Sequence, residues 1–170
     1  MKSNPFDQPK LKWPRAIEAD PSLEQLETLF NKNQAILWNE GSVKVAKVAL
    51  TPEFEKALMS MNGLKQLERG LENIEGILSS EKKGIDAQVT KQGMAPANRM
   101  SRLLVIANGG SERFYRGCER LLIDHSDRLL GVRVDVSSAI ERLYGPDALA
   151  KALLISHRDA VTRALWALIP

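Results

Sequence analysis

Cysteine is nearly absent from this chain: Cys118 is the single one among 170 residues. No internal disulfide can form, and no thiol pair exists to hold a metal. Only two histidines accompany it, His125 and His157, which argues against a structural metal centre. Aromatic residues are scarce at 5%, and Trp13, Trp38 and Trp166 stand far apart in sequence, so few rings are at hand for stacking on bases. Long apolar runs are missing as well. Stretches such as Leu103–Ala107 and Leu165–Ile169 fall far short of the ~20 residues that cross a bilayer. The opening Met-Lys-Ser-Asn-Pro-Phe-Asp has no apolar core of a secretory signal, so a cytoplasmic protein without membrane association is expected. The nucleophile elbow, the dinucleotide fingerprint and the P-loop are all lacking, and no cofactor is assigned.

What is present describes an ordinary globular chain, with 44% hydrophobic and 26% charged residues. The net charge of +3 suits an anionic partner without requiring one. Its distribution is more informative. Arg102, Arg113, Arg116, Arg120, Arg128, Arg133, Arg142, Arg158 and Arg163 fall in the last seventy residues against one lysine, Lys151. Guanidinium groups grip phosphate and carboxylate with a planar fork of donors, so an anion-binding surface is a natural reading of this bias.

Taken in order, residues 1–21 carry Pro5, Pro9, Pro14 and Pro21 around Phe6 and Trp13, the composition of an extended arm pinned by an aromatic. Residues 22–79 form a helical region. Ser22, with Gln25 three positions on, opens a helix with Leu23, Leu26, Leu29 and Phe30 on one face. Residues 42–50 suggest a strand through Val43, Val45 and Val48, with Ala46 interrupting the alternation. Thr51-Pro52-Glu53 opens the next helix with a hydroxyl cap, a proline in the first turn and an acid at the positive end. Leu64, Leu67, Leu71, Ile74 and Leu78 then repeat at alternating intervals of three and four, a seam that either docks on the domain or pairs two copies of the chain. Residues 80–100, polar and carrying Gly84, Gly93 and Pro96, read as a linker or loop.

Residues 101–170 alternate strand and helix: strands at 103–107, 129–134 and 152–156, helices at 112–125, 138–144 and 159–169. Short connections between them predict right-handed crossovers, hence an α/β domain with a mainly parallel sheet between helical layers and the N-terminal half as a helical appendage. In such a sheet ligands sit beyond the carboxyl ends of the strands. The candidate ligand residues are therefore Asn108, Gly109, Gly110, Ser111 and Arg113 after the first strand, Asp135 and Ser137 after the second, and His157 and Arg158 after the third. Gly109-Gly110 permits backbone amides to approach an anion, although Gly-Gly-Ser also serves any strand-to-helix turn with Ser111 as cap. Ser111, Asp135 and His157 occur in the order of some hydrolase triads, but without the elbow no catalytic role is assigned. Arg113, Arg116 and Arg120 share one side of their helix and face a phosphate backbone or, alternatively, are laced to Glu112 and Asp124.

Arg102-Leu-Leu-Val-Ile-Ala107 with its small-residue turn, the short helix 138–145, and Ala152-Leu-Leu-Ile-Ser-His157 before a final helix give residues 101–168 a pattern that resembles the C-terminal two-thirds of the kink-turn-binding ribosomal protein superfamily, whose fold also forms a release-factor domain. The resemblance implies an α/β/α sandwich and structured RNA as partner. That family's Asn-Glu-x-Thr-Lys helix start matches this chain only at Thr90 and Lys91. The combined expectation is a non-enzymatic module for an anionic partner, RNA or a ribonucleoprotein. The alternatives are a nucleotide or phosphate site at the 108–113 turn and a structural protein that dimerises through the 64–78 seam.

Overall fold

A computed structural model describes residues 11–93 and 98–170. The N-terminal stretch with Pro5, Phe6 and Pro9, and Pro96 of the expected loop, lie outside the described residues. Along the chain run α1 (Arg15–Glu18), α2 (Leu23–Lys32), β1 (Gln34–Ile36), β2 (Lys44–Val48), α3 (Pro52–Gly63), β3 (Leu67–Arg69), α4 (Leu71–Gln92), β4 (Arg102–Ile106), α5 (Glu112–Asp124), β5 (Leu129–Val134), α6 (Ser137–Tyr144), β6 (Ala152–Ile155) and α7 (Arg158–Ala167).

The class is mixed α/β, and the six strands form one sheet in the order β1-β2-β5-β4-β6-β3. β2, β5 and β4 are mutually parallel, whereas β1 pairs antiparallel with β2, and β6 antiparallel with both β4 and β3. The expectation of a mainly parallel sheet is therefore corrected. β4 to β5 is a crossover, but β6 is not a third parallel strand. After the eight-residue α6, which covers ~12 Å, residues 145–151 can span roughly 23 Å when extended. They carry the chain back to the edge it came from, and β6 enters there. The Lys151 carbonyl accepts the Ala107 amide at 2.8 Å at that point. A strand-helix-strand pattern is blind to this return.

Side chains of β4 alternate between two buried clusters, as a strand covered on both faces must. Leu103 and Val105 join Leu26, Phe30, Phe54, Leu58, Ile140 and Leu165, from α2, α3, α6 and α7. Leu104 and Ile106 join Ile74, Leu78, Cys118, Leu121 and Leu122, from α4 and α5. In β2 the same logic explains the broken alternation, because Val45 faces one cluster and Ala46 with Val48 the other. The N-terminal half is thus no appendage: it supplies three strands and half of each layer.

Two further expectations change. Residues 80–92 are the continuation of a 22-residue helix, not a loop. Ile85 and Val89 extend the apolar spacing of Ile74 and Leu78, and the ~1 kcal/mol cost of Gly84 is absorbed. The helix stops at Gly93, whose φ of 67° completes a left-handed cap. The 64–78 seam is divided among elements. Lys65 at φ 58° reverses the chain after α3, Leu67 lies in β3 against the first cluster, and Ile74 and Leu78 are buried against the second. Leu71 packs partly on that second cluster and only Leu64 is strongly exposed, so no seam faces outward for a second copy.

Thr51 caps α3 as expected, its hydroxyl accepting the Phe54 amide at 3.0 Å. α2 begins differently: the Asp20 carboxylate accepts the Ser22 amide at 2.8 Å and Ser22 makes no side-chain cap. The expected arm includes a short helix, α1, and Trp13 pins it by an edge-on contact with Phe30 at 5.4 Å.

Candidate functional site

Because β4 and β5 are parallel, their carboxyl ends share one edge of the sheet. Asn108, Gly109, Gly110, Ser111 and Arg113 gather there with Asp135 and Ser137. The chain leaves β4 for the α5 layer and β5 for the opposite layer, so the two loops diverge, the arrangement that opens a crevice in many α/β sheets. Here the crevice is closed by its own side chains. The Tyr115 hydroxyl accepts the Gly110 amide at 3.1 Å and donates to the Ala107 carbonyl at 3.0 Å. Arg133 donates to the Asn108 side-chain oxygen at 2.9 Å and to the Tyr115 oxygen at 3.3 Å, with its guanidinium 4.9 Å from the Tyr115 ring. Ser111 caps α5, accepting the Phe114 amide at 3.1 Å. Gly109 needs its φ of 80°, and a Cβ on Gly110 would come within 2.4 Å of the Phe114 ring. The glycines thus serve the turn, and the Gly110 amide is already satisfied.

His157 and Arg158 are elsewhere. Antiparallel β6 delivers them to the opposite edge, beside the amino ends of β4 and β5. Strands of this length separate the two edges by ~17 Å, so Ser111, Asp135 and His157 cannot act on one substrate atom. Among the described residues no three histidine, cysteine or acidic side chains converge as metal ligands would.

At this second edge lies a cleft of about 570 Å³. α1 contributes Arg15, the run into β4 contributes Arg99, the residue before β5 is Arg128, and α7 opens with Arg158. Asp127 and Asp159 are the acids on its wall, and Pro14, Ala16, Ile85 and Met100 give it an apolar side. Two of the arginines are tied down. Arg128, 6% exposed, donates to Glu81 at 3.2 Å and to the Leu78 carbonyl at 3.2 Å. Arg99 pairs with Glu18 at 2.9 Å and donates to the Trp13 carbonyl. Arg15 and Arg158 are exposed and make no ion pair among the described residues. The first turn of α7 has no side-chain cap, and Arg158, Asp159 and Thr162 put that positive end of the helix, with the Asp159 carboxylate, at the wall of the cleft.

Glu81, on the stretch expected to be a loop, organises the adjoining wall. It receives a forked pair of hydrogen bonds from Arg102, at 3.2 and 2.9 Å, and one from Arg128. Burial pushes its carboxyl up, but the hydrogen bonds and charges of the two arginines together outweigh burial and hold it below the usual carboxylate range. A second hollow of about 350 Å³ continues the cleft past Arg102, Gly84 and Gln88 and shares Ile85, Ser101, Arg128 and Arg158 with it.

Arg113, Arg116 and Arg120 are exposed on α5. The expected lacing to Glu112 and Asp124 does not form among the described ion pairs, and Arg116 lies over the Trp38 ring at 5.3 Å instead. Thr90 and Lys91 close α4 where the family motif opens a helix. α4 and α5 run side by side from one edge to the other, so Thr90 and Lys91 end up beyond the edge opposite to Arg113. No protein-family model matches this chain, and no curated protein is similar to it. Within the described residues no helix is long and apolar enough to cross a membrane.

Proposed function

We propose that this protein is a non-enzymatic binding module for an anionic partner, RNA or a ribonucleoprotein, and that its anion contact is the cleft between α1, α4 and α7. One observation carries the reading. Arg15 and Arg158 flank the uncapped start of α7 in a concave site and make no described ion pair, while the neighbouring arginines are neutralised by Glu81 and Glu18. Guanidinium groups without a described ion pair, beside the start of a helix, favour phosphate over a neutral group, against the opposing charges of Asp127 and Asp159 on the same wall. RNA as the polymer, and a cytoplasmic setting, rest on the likeness of residues 101–168 to the kink-turn-binding superfamily. Within that likeness Thr90 and Lys91 close α4 beyond the edge that bears the cleft, and the α5 arginines form a second basic face.

Anisotropy of a labelled oligouridylate tests this. Two to three phosphate contacts predict that affinity falls roughly tenfold between about 50 and 200 mM salt. The double variant R15E/R158E removes most of the binding. Undiminished affinity in that variant would place the contact elsewhere, and no binding at low salt would end the reading.

A further inference from the structure

The second half of α4 is held to the domain by little. Ile74 and Leu78 of its first half are buried, but from Ser80 to Gly93 no residue is, and only Glu81, Ile85 and Val89 are half-buried. Gly84 stands mid-helix with open space where a Cβ would sit, so no close approach demands a glycine there, and its effect is to weaken that stretch. Among the described residues its polar ties are few. Glu81 accepts from Arg102 and Arg128, and Lys82 donates to the Asp124 carbonyl at 3.0 Å. With the bond from Arg128 to the Leu78 carbonyl, these ties clasp the 124–128 turn on both sides of His125. There His125 is 3% exposed, and its Nδ1 has no hydrogen-bond partner among the described residues.

We propose that residues 80–93 form a pH-sensitive strap: on mild acidification they come away from the 124–128 turn, admit water to His125 and release Arg102 and Arg128 from Glu81. A neutral imidazole leaves one ring nitrogen bare in this site, whereas an imidazolium brings a charge and a further donor that the site does not satisfy. The charged groups around it are Lys82 and Glu81 from α4, Arg128 just before β5, and Asp124 and Asp127 of its own turn. Glu81 is already taken by two arginines. Burial first, then Arg128 and Lys82, outweigh Asp124 and Asp127 and hold the imidazole pKa below its ordinary value. The closed form is therefore favoured above about pH 6.5 and loses ground below it, because the open form takes the proton. Lifting α4 is the easiest way to wet the ring, since the preceding turn of α5 carries the buried Leu121 and Leu122. Arg102 and Arg128 line the hollow of about 350 Å³, so an open strap leaves two guanidinium groups there without their acid.

Hydrogen exchange of the full chain at about pH 7.5 and about pH 5.5, corrected for the intrinsic effect of pH, tests this through the amides of Gly84 to Gly93. Their opening constant is expected to rise about tenfold on acidification, the factor set by an imidazole of pKa about 6.5 that takes its proton only in the open form. In His125→Gln the rise disappears. Gly84→Ala, an exposed change that favours the helix, lowers the constant about fivefold at both pH values and keeps the tenfold ratio. A wild-type opening constant that does not change with pH, or the same rise in His125→Gln, overturns the strap. So does an unaltered constant in Gly84→Ala, which would mean that residue 84 stays helical while the amides open. If His125→Gln does not fold, the wild-type ratio and Gly84→Ala still decide.

Discussion

Replacing Glu119 by alanine should destabilise the protein by about 3–4 kcal/mol, and the structure supplies the ledger. Glu119 is 8% exposed and its carboxylate accepts three hydrogen bonds. The Trp38 indole donates at 3.0 Å, the Ser42 amide at 2.8 Å and the Val43 amide at 2.9 Å. Hydrogen bonds to an ionised acceptor contribute roughly 1.5–3 kcal/mol each. The total is less than three times that, because the two amides share one oxygen and the half-buried Trp38 and exposed Ser42 regain some hydration. Glu119→Gln separates charge from shape. Its carbonyl oxygen still takes both amides and its NH2 turns toward the indole, so about 1–2 kcal/mol is expected. Urea unfolding with linear extrapolation reads both values, and for a chain of this length the alanine variant should melt about 10 °C lower. An alanine variant within about 0.5 kcal/mol of wild type would refute the account of Glu119 as the anchor of the 37–43 segment.

Cys118 is fully buried between α4 and α5, and burial pushes its thiol up to about 12. Iodoacetamide should leave the native protein unmodified at pH 8 and label it in urea; rapid native labelling would contradict the packing. His125 is 3% exposed, and burial first, then the charges of Arg128 and Lys82, lower its pKa against the opposing pull of Asp124 and Asp127. The unfolded chain therefore binds the proton more readily, and stability falls as the pH drops from about 6.5 toward the lowered folded value. His125→Gln should flatten that part of the profile; the loss linked to Glu81, whose pKa is also lowered, comes only below its ordinary 4.5. Tyr115→Phe should cost about 1–2 kcal/mol, since it orphans the Gly110 amide and the Ala107 carbonyl, and an unchanged urea midpoint would show that the turn is held otherwise.

Local chemistry was legible in the sequence and long-range direction was not. The caps at Thr51 and Ser111, the bounds of β5 and the buried face of α5 follow from residue types at fixed spacings. Gly84 and the polar run around it concealed thirteen residues of α4, 80–92, because an isolated glycine costs a helix less than packing returns to it. Leu67 joined a leucine series by accident of spacing while belonging to an edge strand. The candidate site was half visible. Asn108 to Arg113 lie on the same edge of the sheet as Asp135 and Ser137, but the orientation of β6 depends on where residues 145–151 lead, and no periodicity records that. Arg15, Arg99, Arg128 and Glu81 went unnoticed because sequence separations of up to 113 positions, from Arg15 to Arg128, hide their convergence. The one local signal was an arginine placed immediately before the apolar run of β5.

The two edges of the sheet make opposite claims on an anion, and backbone chemical shifts decide between them. On titrating the ¹⁵N-labelled protein with an oligouridylate, the amides of Arg158, Asp159 and Ala160 and the side chain of Arg128 should move. Shifts confined to Asn108–Arg113, with Arg158 to Ala160 unmoved, would contradict the cleft as the binding site.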